Sequence, residues 1–65
     1  MQMTMKKNPL SGDWLCMIPE YPSQAYYYED KRSARRFITA VNDALDSGEL
    51  YTDDEGILQQ IRRVL

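Results

Sequence analysis

Sixty-five residues make one small domain spanning 1–65, a size that buries less of its surface than larger domains and depends on tight packing or external support. A single cysteine, Cys16, and no histidine exclude an internal disulfide and the usual zinc ligand sets. A net charge of −2 argues against a general phosphate binder, although charge segregated along the chain can still build a local basic patch.

In chain order, Met1, Met3 and Met5 alternate with polar residues, which predicts a first strand near 1–6. Asn8-Pro9 and Ser11-Gly12-Asp13 supply turn chemistry. Trp14-Leu-Cys-Met-Ile18 is a short apolar run closed by Pro19 and reads as the central strand, 14–18. Tyr21-Pro22-Ser23-Gln24 reads as a second turn, and the aromatic stretch Tyr26-Tyr27-Tyr28 as a strand over 25–28 that could pair with 14–18. In such a strand Tyr26 and Tyr28 share one face and Tyr27 takes the other. Three strands at most are expected.

Ala34, Phe37, Ile38, Val41 and Leu45 fall on one face of a helix over 31–47. Asp30 can cap it, with Glu29 as a neighbouring candidate, and Gly48 stands where a left-handed residue would end it. Thr52-Asp53-Asp54-Glu55 matches a capping box and predicts a second helix over 53–64. Ile57, Leu58, Ile61, Val64 and Leu65 would form its apolar stripe, with Gly56 in the first turn permitting close approach of another backbone. The expected architecture is α+β, a small antiparallel β-meander of two or three strands packed against two antiparallel helices.

The charges on the first helix oppose its dipole. Lys31, Arg32, Arg35 and Arg36 crowd its start and Asp43, Asp46 and Glu49 its end, whereas the dipole favours the reverse by roughly 0.3–1 kcal/mol per well-placed charge. Antiparallel helices would add Arg62 and Arg63 to the basic end, and Asp53, Asp54 and Glu55 to the acidic end, making the molecule electrically bipolar. Solvated charges of this kind cost little, so a plain solvent-facing surface is an equal alternative to recognition.

The sequence carries no Gly-rich phosphate loop, paired-carboxylate site or nucleophile–base pair. Cys16 lies in an apolar strand with no cationic neighbour and reads as a buried, inert thiol. The acidic run at 53–55 lacks the ligand spacing of a calcium loop. The expectation is therefore a non-enzyme without cofactor or metal. Trp14-Leu-Cys-Met-Ile-Pro-Glu-Tyr-Pro22, followed by a strand and an amphipathic helix, resembles the strand–helix segment of HicB-type antitoxins over about half the chain. The glycines and the acidic start of the helix usual in that family are absent here, and no functional residue is carried over.

Tyr and Arg are enriched at energetically dominant protein contacts. The expected function is a small protein-binding domain that docks onto and modulates a larger protein partner, compatible with a bacterial or phage accessory or inhibitor protein. Its contact residues would be Tyr26, Tyr28, Arg32, Arg35 and Arg36. One alternative is a nucleic-acid-associated protein that uses a basic-aromatic surface, and another is a structural subunit of a homo-oligomer. A homodimer is expected ahead of a monomer, because a marginal core gains stability when two copies cover one another. No apolar run is long enough to span a bilayer and Met1–Lys7 lacks the features of a secretion signal, so the expected compartment is the cytoplasm.

Overall fold

The computed structural model describes residues 1–61. Its elements are β1 (Thr4–Lys7), β2 (Trp14–Met17), β3 (Tyr26–Tyr28), α1 (Lys31–Ser47), β4 (Leu50–Thr52) and β5 (Leu58–Gln60). The fold is α+β: an antiparallel sheet in the order β1-β2-β3, one helix packed against it, and a second antiparallel sheet made by β4 and β5.

Strand alternation decides which side chains meet the helix. Met3, Met5, Trp14, Cys16, Ile18, Tyr26 and Tyr28 share the face that packs against α1, as the period of two requires. The register puts Met5 opposite Cys16 and Cys16 opposite Tyr26, then Lys7 opposite Trp14 and Trp14 opposite Tyr28. The helix answers with Ala34, Phe37, Ile38, Val41 and Leu45. Cys16 and Ala34 are fully buried, with Met3, Ile18 and Val41 nearly so. Phe37 sits between Tyr26 and Tyr28, with ring centroids 5.1 and 5.2 Å away; tilted pairs at such distances contribute about 0.5–1.5 kcal/mol each beyond area burial.

Both ends of α1 follow from single residues. Asp30 accepts from the Ser33 backbone N–H at 3.0 Å and from the Ser33 hydroxyl at 2.8 Å, satisfying a donor the first turn leaves without a partner. Gly48 ends the helix at φ +81°, its N–H donating to the Leu45 carbonyl. That left-handed conformation is cheap only for glycine. Within the helix, Asn42 forms a two-point clamp on the first strand's lead-in: the Met3 N–H donates to its Oδ1 at 2.7 Å, and its Nδ2 donates to the Met3 carbonyl at 3.1 Å.

The expected second helix over 53–64 is replaced, through residue 61, by a β-hairpin; the remainder of that span, 62–65, lies outside the described residues. Leu50 pairs with Gln60, Tyr51 with Gln59 and Thr52 with Leu58, so the described residues form five strands where three at most were expected. The acceptor-rich run misread as a capping box is a turn. The Asp53 carboxylate accepts from the backbone N–H groups of Glu55 and Ile57, both at 2.9 Å, and from the Gln59 amide at 3.2 Å. The Gly56 N–H donates to the Asp53 carbonyl at 3.0 Å, and the Asp53 N–H to the Ile57 carbonyl at 3.1 Å. Asp opening a turn with a left-handed glycine three residues later, here at φ +84°, is a hairpin signal. It competes with a cap because both use a short acceptor beside free N–H groups. Leu50 and Leu58 pack against the core, while Tyr51, Ile57 and Ile61 remain exposed.

The other expected boundaries shift slightly. β1 covers 4–7 instead of 1–6, β2 stops one residue short of buried Ile18, and β3 omits Ala25. Helix 31–47 is found at those bounds.

Candidate interaction surface

The sheet geometry gathers the described cations at one end. Antiparallel pairing sets Lys7 opposite Trp14, and the Lys31 ammonium lies 5.3 Å from the Trp14 ring centroid, within cation–π range. Since α1 starts at Lys31 beside Trp14, its first turns carry Arg32, Arg35 and Arg36 at that same end, all three exposed. Lys6 and Lys7 join them from β1; the sequence reading missed both because their contribution depends on strand register. Asp13, Glu29 and Asp30 are the acids at this end.

Acids dominate the far end. Tyr21, beyond the C-terminal end of β2, packs on Gly56 so closely that a Cβ at residue 56 would overlap its ring. This contact seats the turn carrying Asp53, Asp54 and Glu55 there. The Ile61 N–H donates to the Glu49 carbonyl at 3.1 Å, so the end of β5 returns to the acidic terminus of α1. Arg62 and Arg63, expected at the basic end on an antiparallel helix pair, lie outside the described residues.

The five expected contact residues separate into two groups. Arg32, Arg35 and Arg36 stand on exposed positions of α1 and together line one shallow groove with Thr39, Ala40 and Asp43. Tyr26 and Tyr28 are half-buried and engaged with Phe37 on the helix-facing side of the sheet. The exposed aromatic of the triplet is Tyr27, at 62% exposure on the opposite face. Leu10 at the β1–β2 turn is also open to solvent. The alternation in the sequence contained the Tyr27 signal, but it did not reveal which face the helix would cover.

Electrostatics at the turns is local. Hydrogen bonds from the Ser33 N–H and hydroxyl lower the Asp30 pKa, and the Ile57 N–H, followed by the Gln59 amide, lowers that of Asp53. Burial raises the Cys16 thiol pKa, which disfavours the reactive thiolate. Among the described residues, no three of the metal-ligating types His, Cys, Asp and Glu gather into a metal-binding group, and no helix is long and apolar enough to cross a membrane. Compared with known proteins, the chain matches no family model, no curated protein and no solved structure.

Proposed function

We propose that this chain is a non-catalytic protein-binding domain that docks onto a larger protein through its basic end and modulates that partner, in the manner of an accessory or inhibitor protein acting in the cytoplasm. The supporting observation is the gathering of the described cations at one end of the fold, with Lys7 opposite Trp14, Lys31 over its ring, and Arg32, Arg35 and Arg36 exposed on the first turns of α1. Arg32, Arg35 and Arg36 make the contacts. Tyr26 and Tyr28 hold α1 in place through Phe37 and offer a partner only their uncovered edges.

The test is the triple variant Arg32→Glu/Arg35→Glu/Arg36→Glu, used with the wild type to recover proteins from the native host. The variant keeps its circular dichroism and loses the protein recovered by the wild type. Recovery of the same protein by both chains overturns the reading. Salt distinguishes nucleic acid as the alternative target: protein docking loses association rate as salt rises, whereas phosphate contacts lose affinity steeply. Tight, salt-sensitive wild-type binding to single-stranded RNA or DNA would replace the protein partner with nucleic acid.

A further inference from the structure

The helix covers one face of the β1-β2-β3 sheet and, among the described residues, no other element packs on the opposite face, which they leave bare. Across that bare face the register aligns Lys6 of β1, Leu15 of β2 and Tyr27 of β3 in one row, with Thr4 opposite Met17 in the next. None of these five belongs to the core cluster. Leu15 and Met17 are half-buried, and Tyr27 is largely exposed. The central strand thus shows an apolar strip to solvent, with a cation on one side and an aromatic ring on the other.

We propose that this face binds a second copy of the chain, the two sheets stacking about a two-fold axis that runs along β2. The row is self-complementary in that arrangement. An axis along β2 sets β1 of one copy over β3 of the other, so the Lys6 ammonium meets the ring of Tyr27 of the partner subunit, and this contact occurs twice. Leu15 and Met17 meet their own counterparts near the axis. An axis across the strands would instead set Lys6 against its own counterpart and oppose like charges. Aligned stacking of twisted sheets about 10 Å apart is an ordinary way to bury such faces, and an isologous contact closes at two copies without open-ended growth.

Two further properties follow from the axis. Rotation about β2 preserves the strand direction, so both basic ends lie at the same end of the dimer and a larger partner meets two arginine surfaces at once. Their mutual repulsion is screened by salt. The contact is confined to three short strands, at the small end of the interface range, so association requires high concentration.

Sedimentation equilibrium on the full chain from about 10 μM to 1 mM tests the inference, a window that spans weak association. The wild type moves from the monomer mass of 7.6 kDa toward twice that value, with no weakening as salt increases. Leu15→Glu stays monomeric throughout. Lys6→Glu, at an exposed position, folds as the wild type does and dimerises about tenfold more weakly or worse, since both cation–π contacts are lost. A wild type monomeric at about 1 mM overturns the proposal, as does a dimer that Lys6→Glu leaves intact. Association that dissolves with rising salt overturns it too, because that behaviour belongs to head-to-tail contact between the basic and acidic ends. The arginine-dependent docking stands or falls separately, since Leu15→Glu does not touch those arginines.

Discussion

Replacing Asn42 with alanine removes the clamp between α1 and the chain leading into β1. The Met3 N–H and carbonyl each lose a partner, at 2.7 and 3.1 Å respectively, and Met3 is only 3% exposed. A typical hydrogen bond contributes about 0.5–1.5 kcal/mol net, and a buried group left without a partner costs about 1–3 kcal/mol. Alanine returns up to about 0.7 kcal/mol through helix propensity. The expected net loss is about 2–3 kcal/mol. At this length total stability is about 3–10 kcal/mol, so the substitution removes a large share and lowers Tm by roughly 10–20 °C. Urea unfolding followed by circular dichroism measures the loss, and amide exchange locates it: Met3 should lose protection before the β2 amides do. Thr39→Ala, on the exposed side of α1, is the control. An Asn42→Ala protein within about 0.5 kcal/mol of wild type, with its Met3 amide still protected, would mean that the clamp does not hold Met3 to α1.

Gly56→Ala should destabilise the hairpin on two counts, since φ +84° is a left-handed conformation and the new Cβ would overlap the near atoms of the Tyr21 ring. The backbone contribution alone is about 1–2 kcal/mol. Combining it with Tyr21→Ala should give less than the sum of the two single effects, and strict additivity in a double-mutant cycle would place the cost elsewhere. Asp30 and Asp53 carry folded pKa values below their ordinary one, so the unfolded chain binds more protons in acid. Their stabilisation is present above the ordinary aspartate value of about 3.9 and is lost as pH falls through the depressed folded values. Asp53→Asn keeps an oxygen acceptor for the turn, so its urea midpoint should stay close to wild type at neutral pH and decline less in acid; an unchanged acid profile would contradict this assignment.

The elements legible in the sequence are those whose local signals agreed with their tertiary setting. α1 has an apolar stripe, an acceptor at Asp30 and a glycine at 48, and each points to the same helix. Around residue 53 the local signals were shared by two structures. Thr52 through Glu55 fits a helix start, Asp53 through Gly56 fits a hairpin turn, and Ile57, Leu58 and Ile61 satisfy an apolar helical spacing. The decision rests on contacts remote in sequence: Gly56 against Tyr21 and Leu58 against the core. Strand alternation likewise separated Tyr27 from Tyr26 and Tyr28 without indicating which side would meet α1. Lys6 and Lys7 are visible as charges, but the register alone sets Lys7 opposite Trp14 and Lys6 opposite Leu15 on the other face. Asn42 follows Val41 on the polar flank of the stripe, where nothing local marks it as a clamp.

The charge order of α1 has a different status, because its local energetics and its tertiary setting conflict. The first turn holds no acid and the last turn no base, so the dipole is complemented only by the Asp30 cap. Lys31 finds compensation over the Trp14 ring, but Arg32, Arg35 and Arg36 point away from the core on exposed positions. Putting acids at these positions improves the helix start by roughly 0.3–1 kcal/mol where the site lies in the first turn, and less beyond it. If these charges only solvate a surface, reversing them should raise stability and leave binding alone. If they recognise a partner, the same reversal raises stability and abolishes binding. Movement in opposite directions excludes loss of binding through unfolding, the usual ambiguity of a surface variant, and it is available here because this basic surface is built on the end of the helix least suited to carry it.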